Sequence, residues 1–263
     1  MRPVKLRDLP PVYARLAGFV AGSLLRGPLD GAVRHLPEPV QRGWELARLE
    51  GRQEPRVLLV PGFLGPSPLL IPLALFLRLH GRRVELLHNF PAFDGVVPLA
   101  ERIARHVARM QDATGDAQVD LVCHSMGGLA ARYYARHLDG ARQLRRLITI
   151  ATPHRGTRWA WWPLNQSMRD MKPESPLIAA LENERPIAGV RCLNIRASWD
   201  QIVWPAEMSR WGWHADELVL PFSEHWAIQL DPRTLALVLT LLEATDSEVQ
   251  TVDIAGLEGG ERV

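Results

Sequence analysis

Six short apolar runs, separated by stretches with helical spacing, constrain the fold of this chain more than any other feature of its sequence. The runs are RVLLV at 56–60, RVELL at 83–87, VDLV at 119–122, RRLITI at 145–150, RCLNI at 191–195 and ELVL at 217–220. Such runs are typical of parallel strands buried on both faces, and parallel strands need helical crossovers between them. The sequence therefore predicts an α/β domain with a mostly parallel central sheet of about six strands and helices on both faces.

Helical spacing is visible in the segments between the runs. It covers residues 66–81, 96–110, 126–138 and 232–244. In the second segment Leu99, Ile103 and Val107 fall on one face, as in a helix that packs on a sheet. We expect Gly81 to end the first helix, because glycine readily adopts the left-handed conformation found just after helices.

The composition limits the class of protein and its partners. With 263 residues, of which 47% are hydrophobic and 23% are charged, the chain suits one large soluble α/β domain, alone or with an extension. The net charge of +2 provides no bulk attraction to polyanions, so nucleic acid is not expected as a partner. Two cysteines, Cys123 and Cys192, are too few for a disulfide framework or a thiolate metal cage. We therefore expect reduced thiols and no metal or cofactor.

The ends of the chain differ from its centre. We expect an N-terminal helical extension over residues 1–54, a main domain over 55–245 and a disordered, glycine-rich tail over 246–263. Basic residues and helically spaced apolar residues in the first segment indicate an amphipathic helix rather than a cleaved signal peptide. Packing on the main domain, a position over the functional site and peripheral contact with a membrane are all left open for this helix. The thiols and the missing cleavage site favour a cytoplasmic location, and the oligomeric state is left open.

One junction between a strand and a helix carries an isolated hydroxyl. In VDLVCHSMGGLAARYY, residues 119–134, an apolar run passes into a helical pattern at Ser125. A turn this sharp holds its residue in a strained conformation and projects the side chain from the carboxyl edge of the sheet. Gly127 and Gly128 are small enough for the close approach of strand and helix. We therefore interpret Ser125 as a nucleophile rather than as part of an ordinary glycine-rich turn.

The junction resembles the GHSMGG or AHSMGG nucleophile elbow of bacterial lipases and esterases in the α/β-hydrolase superfamily. Three other segments are similar to motifs of that branch and follow the same order: VLLVPGFLGPS, ITIATPHRGT and MRDMKPESPLIAALEN, the last also similar to GPI inositol-deacylase relatives. The resemblance covers residues 55–243 and implies the α/β-hydrolase fold. Two residues depart from these motifs. Cys123 replaces the usual glycine of the elbow and is expected to be a buried, inert thiol. Pro61, in VLLVPGFLGPS, replaces the histidine that this motif usually carries.

A serine hydroxyl needs a base that removes its proton, and the base needs a carboxylate that orients it. In this superfamily the acid and the base follow later strands, in the order Ser, Asp, His. RASWDQIVWP resembles the acid loop and nominates Asp200, and PFSEHWAI resembles the histidine loop and nominates His225. Asp216 and His214 precede the last apolar run, so we expect them in solvent at the opposite edge of the sheet.

The resemblance also assigns residues that bind the substrate. The backbone N–H groups of Phe63 and Met126 are expected to form the oxyanion hole, which stabilises negative charge during acyl transfer. The side chains of Phe63 and Leu64 either line an acyl pocket or pack in the ordinary way, and the sequence favours neither alternative.

Substrate choice is expected to depend on a tryptophan-rich segment. Residues 155–188 would form a cap or lid, as insertions at this point do in hydrolases of this fold, with Trp159, Trp161 and Trp162 as substrate-binding residues. Clustered indoles suit an apolar acyl chain or a lipid interface, although each one could also fill a core.

The sequence therefore predicts a serine carboxylester hydrolase, a lipase or esterase that cleaves hydrophobic acyl esters through an acyl-enzyme on Ser125. An acyltransferase or a thioesterase could use the same three residues. A non-catalytic scaffold that binds a lipid or a protein is the alternative from another class. The presence of serine, aspartate and histidine at all three positions argues against that scaffold.

Overall fold

The structure is a computed structural model that describes most of the main domain. The described residues are 55–63, 67–88, 92–161, 164–182, 186–212 and 215–244. The predicted extension over 1–54 and the predicted tail over 246–263 lie outside them. The division of the chain into these segments therefore stays a prediction.

A six-stranded sheet forms the centre of the described domain. Its strands are β1 (Arg56–Val60), β2 (Val84–Leu86), β3 (Val119–His124), β4 (Leu144–Ile150), β5 (Arg191–Ala197) and β6 (Asp216–Leu220). Every neighbouring pair is parallel, and the strand order is β2-β1-β3-β4-β5-β6. This confirms the predicted parallel sheet and all six apolar runs as its strands.

Six α-helices are found in the described residues, and four of them lie in the segments for which the sequence predicts helices. They are α1 (Ile71–Leu79), α2 (Val96–Thr114), α3 (Met126–His137), α4 (Gln166–Asp170), α5 (Pro176–Glu182) and α6 (Pro232–Glu243). Gly81, with a φ of 78°, adopts the left-handed conformation expected after α1. The second helix is longer than predicted and ends at Gly115, where a φ of 71° lets the N–H of Gly115 bond the carbonyl of Gln111.

Both faces of the sheet are covered. Alternate residues of β1 point to opposite sides: Val57 and Leu59 pack with α1 and α6, whereas Leu58 and Val60 pack with α2 and α3. Because successive residues of a strand face opposite sides and both sides are covered by helices, every position needs an apolar side chain. This explains why the strands appear in the sequence as uninterrupted apolar runs.

The turn between β3 and α3 is as sharp as predicted. Ser125 has a φ of 54° and a ψ of −129°, a combination that side chains with a Cβ rarely adopt. A Cβ on Gly127 would lie 2.8 Å from the carbonyl oxygens of Val60 and Pro61, and one on Gly128 would overlap the side chain of Thr152. The two glycines thus permit α3 to begin directly against β1 and the loop after β4.

The segment between β4 and β5 is tied to the start of α2. The Asp170 carboxylate accepts the N–H of Val96 at 2.8 Å, and the Ser167 hydroxyl accepts the N–H of Gly95 at 3.0 Å. These bonds satisfy N–H groups at a helix N-terminus, which have no partner within the helix. The segment thus packs on the domain at α4, and its predicted action as a tryptophan-rich lid stays a prediction.

No helix in the described ranges combines the length and the apolar character that a membrane crossing needs.

We predict that Gly127→Ala destabilises the domain by about 1 to 3 kcal/mol, because the new methyl group would press on two backbone carbonyls that the sheet holds in place. Urea unfolding followed by circular dichroism measures the change. Arg105→Ala, at an exposed position of α2, is the control and should shift stability by no more than about 0.5 kcal/mol. Equal stability of Gly127→Ala and wild type would contradict the tight contact.

Candidate active site

Ser125 is held at the corner from both sides of its backbone. Its N–H donates to the carbonyl of Ile150 at 2.9 Å, and its own carbonyl accepts from the Thr152 hydroxyl at 2.9 Å. Both partners belong to the end of β4 or the loop after it. These bonds hold the strained backbone in place and leave the Ser125 hydroxyl oriented away from the sheet, toward the loops at its carboxyl edge.

The structure brings the three residues nominated by sequence into one hydrogen-bonded chain. The Nε2 atom of His225 lies 3.0 Å from the Oγ of Ser125, and the Nδ1 atom of His225 lies 2.9 Å from Oδ2 of Asp200. All three side chains are largely buried, with residue exposures of 5% for Ser125, 7% for Asp200 and 0% for His225. Water therefore competes little for these bonds.

Asp200 is oriented by the chain that follows it. Its Oδ1 accepts the N–H groups of Ile202 at 2.9 Å and of Val203 at 2.7 Å, so Oδ2 is the oxygen directed at His225. An ionised carboxylate can only accept hydrogen bonds, so Nδ1 of His225 must carry a proton. In the neutral ring Nε2 is then a bare acceptor, in position to take the proton of the Ser125 hydroxyl.

The two residues nominated for the oxyanion hole flank Ser125. Met126 is the first residue of α3, where backbone N–H groups have no partner in the helix. Phe63 follows Gly62, and a Cβ on Gly62 would lie only 2.7 Å from Cβ of Ser125. The loop after β1 thus passes directly over the nucleophile, and its glycine is required there for lack of space.

A pocket opens beside Ser125 and His225, and its other walls are almost entirely apolar. The described residues that line it are Phe63, Pro153, Thr157, Trp159, Ala160, Met168, Met171, Ile202, Val203 and Trp226, with Ser125 and His225. Of the residues nominated for substrate binding, Trp159 lies in this wall and is half exposed. Trp161 is 68% exposed and contacts Lys172, and Leu64 and Trp162 lie outside the described residues.

Several of the lining residues were not nominated from sequence, among them Met168, Met171, Ile202 and Val203. The two methionines belong to the lipase-like segment MRDMKPESP, for which the sequence predicts no role. Their spacing of three residues places them near one side of a helical turn, which is the signal that could have paired them. Ile202 and Val203 come directly after Asp200 and Gln201, so the turn that positions the Asp200 carboxylate also places them in the pocket wall.

Three other titratable residues, Cys123, His154 and Asp216, take no part in this chain of bonds. Cys123 is fully buried in β3, and burial raises the pKa of its thiol far above the usual range, which keeps it protonated. His154 bonds the Thr149 hydroxyl at 3.0 Å and stacks on Trp211. Asp216 begins β6 at the opposite edge of the sheet and pairs with Arg191 at 2.6 Å.

His214 lies outside the described residues. In the described part of the chain, no group of three or more His, Cys, Asp or Glu residues could hold a metal ion.

Parts of the chain are similar to known lipases and thioesterases. Residues 91–173 match the sequence profile of the family described as palmitoyl protein thioesterase, a stretch that includes Ser125 and ends before Asp200 and His225. A triacylglycerol lipase of Pseudarthrobacter phenanthrenivorans is 36% identical over 86 residues, which are 32% of this chain and 26% of that protein. The chain thus spans about a quarter of the length of the curated relatives it matches.

Solved structures match over much more of the chain. The mature form of lipase BlEst2 from Bacillus licheniformis superposes with a TM-score of 0.64 at 15% identity, over 73% of this chain and 94% of that one. Lipase B of Aspergillus fumigatus superposes with a TM-score of 0.65 at 17% identity, over 87% of this chain and 61% of that one. By its parallel sheet, its sharp turn at Ser125 and its match to these structures, the chain has the α/β-hydrolase fold.

Proposed function

We propose that this protein is a serine carboxylester hydrolase that cleaves hydrophobic acyl esters through an acyl-enzyme on Ser125. The observation that carries the proposal is the bonded chain from Ser125 through His225 to Asp200, whose Ser125 end opens into an apolar pocket. A protein that only binds a ligand has no need for a hydroxyl, an imidazole and a carboxylate in this order.

In the first half of the reaction, the Ser125 Oγ attacks the carbonyl carbon of the ester while Nε2 of His225 takes its proton. Asp200 stabilises the charged imidazole that results, and the N–H groups of Met126 and Phe63 stabilise the carbonyl oxygen as it becomes negative. The intermediate then collapses, the bond to the alcohol breaks, and His225 gives its proton to the departing alcohol oxygen. The acyl group stays bound to Ser125 as an ester.

In the second half, water takes the place of the alcohol. The water oxygen attacks the acyl carbon while His225 removes a proton from the water. His225 then gives that proton to the Oγ of Ser125 as the bond between Oγ and the acyl carbon breaks. The products are a carboxylic acid and the free enzyme.

The apolar character of the pocket and its surroundings supports a hydrophobic acyl group. Nine large apolar side chains are exposed among the described residues, and seven belong to segments that follow the carboxyl ends of strands: Phe93, Trp159, Trp161, Leu164, Trp199, Trp204 and Phe222. These segments also carry Asp200 and His225. Moving an apolar acyl chain from water onto such a surface lowers the free energy of the system. The partial match to a triacylglycerol lipase supports a lipid ester in particular.

A thioester substrate is a second candidate, favoured by the match of residues 91–173 to the palmitoyl protein thioesterase family. The same attack on the carbonyl would release a thiol in place of an alcohol. Oxygen and sulfur esters with the same acyl group distinguish the two candidates by their kcat/KM values. Peripheral membrane contact through the N-terminal segment and a cytoplasmic location are proposals from sequence alone.

We predict that Asp200→Asn slows fluorophosphonate labelling of Ser125 by about three orders of magnitude or more, because an amide no longer holds His225 in the tautomer that accepts the serine proton. Intact mass spectrometry over time measures the rate. Asp216→Asn, which alters an exposed carboxylate at the other edge of the sheet, should label as the wild type does. Similar rates for the two variants would remove Asp200 from the mechanism.

We predict that Trp159→Ala lowers kcat/KM for a palmitoyl ester by about tenfold, the equivalent of ~1.4 kcal/mol of lost apolar contact, and changes it little for an acetyl ester. Hydrolysis of p-nitrophenyl esters from acetyl to palmitoyl measures the effect. Leu79→Ala is the control and should leave both values unchanged, because Leu79 is an exposed apolar residue at the end of α1 and is not among the pocket-lining residues. An equal loss for all chain lengths would contradict the acyl-binding role of Trp159.

A further inference from the structure

His124, the residue before the nucleophile, makes a bond that links two distant parts of the site. Its side chain is 1% exposed, and its Nε2 atom lies 2.9 Å from the backbone carbonyl oxygen of His225. The two residues are 101 positions apart in the chain. The end of β3 is thereby bonded directly to the loop after β6, across the strands that lie between them in the sheet.

The chemistry of this bond determines the state of the His124 ring. A carbonyl oxygen can only accept, so Nε2 must carry the proton. Burial, with a smaller contribution from the charge of His225, lowers the pKa of His124 to about 3, so the ring is neutral at ordinary pH and Nδ1 is bare. Nδ1 has no hydrogen-bond partner among the described residues. The other tautomer would leave an N–H group buried there and set a lone pair against the carbonyl.

The bond acts on the backbone that carries the proposed base. The N–H of His225 reaches its nearest described acceptor, the Gln201 side chain, only at 3.5 Å, whereas its carbonyl is held by His124 at 2.9 Å. The rings of His124 and His225 are also in contact, with centroids 4.9 Å apart. Asp200 therefore orients the imidazole through its Nδ1, and His124 holds the backbone from which the imidazole extends.

We propose that His124 is a positioning residue that fixes the distance between His225 and Ser125 by donating a hydrogen bond to the backbone of His225. Because His124 is adjacent to Ser125 in the chain, the atoms that exchange the proton are held from one rigid segment. The inference rests on the proposed function, since it concerns the proton transfer from Ser125 to His225. It adds a residue that acts through the backbone of His225 and does not itself exchange the proton.

Two variants separate the hydrogen bond from simple packing. His124→Gln keeps an N–H donor at similar reach, and His124→Met fills similar volume without a donor. We expect His124→Met to reduce the rate of fluorophosphonate labelling of Ser125 on the order of 100-fold, since small misplacements of a catalytic group have effects of this size. We expect His124→Gln to recover most of that loss. For ester hydrolysis the loss should be in kcat with KM little changed, because the pocket is intact.

The outcomes distinguish this inference from the function on which it rests. Wild-type labelling rates in a folded His124→Met variant, or equal impairment of both folded variants, would overturn the positioning role and leave the hydrolase intact. A wild-type protein that the probe does not label would overturn both. Melting temperatures of all three proteins establish that they are folded.

A measurement on the wild type keeps the inference testable if His124→Met does not fold. Long-range 1H–15N spectra of 15N-histidine protein distinguish the two neutral tautomers and the charged ring. We expect His124 to be neutral with its proton on Nε2 at neutral pH, and its assignment comes from the spectrum of His124→Gln. A proton on Nδ1 would overturn the proposal, because no bond to the His225 carbonyl could then form.

Discussion

The strained backbone of Ser125 is the constraint on which the rest of the site depends. A residue with a φ of 54° and a ψ of −129° stores about 1 to 3 kcal/mol of strain, which persists only where the surroundings enforce it. Here the enforcement comes from β4, through Ile150 and Thr152, and from the close contacts of Gly127 and Gly128. Without these contacts the chain could relax, and the hydroxyl would no longer project from the sheet toward His225.

The parallel sheet explains how distant residues meet at this hydroxyl. All six strands end at the same edge, so the loops after β3, β5 and β6 can converge there. Asp200 comes from the second of these loops and His225 from the third. The loop after β1 completes the arrangement, because Gly62 passes close to Ser125. Each group is placed by a rigid strand, which gives the site its geometry before any substrate binds.

The fold could be predicted from sequence because its signals are local. Each strand is an uninterrupted apolar run, and the turn at Ser125 is marked by two glycines in the next three residues. The nominations of Asp200 and His225 required the order of the strands and the resemblance to hydrolase motifs, since neither residue is distinctive alone. The exposed position of Asp216 followed from the same reasoning about the two edges of the sheet.

Contacts between distant segments could not be predicted in this way. The bonds from Asp170 and Ser167 to the start of α2 join residues more than 70 positions apart, and no periodicity marks them. The same holds for the part of the pocket wall that Met168 and Met171 form and for the bond from His124 to the His225 backbone, because both depend on how distant segments pack. His124 is next to Ser125 in the sequence, but only the fold shows that its side chain bonds the backbone carbonyl of His225.

The proposed mechanism requires Ser125 to be an activated nucleophile that carries the acyl group. The most direct measurement is rapid acid quenching of the protein during hydrolysis of a p-nitrophenyl ester, followed by intact mass and peptide mapping. We expect a mass increase equal to the acyl group on the peptide that contains Ser125, and no such increase in Ser125→Ala. Steady ester hydrolysis with an unmodified Ser125, or equal hydrolysis by Ser125→Ala, would contradict it.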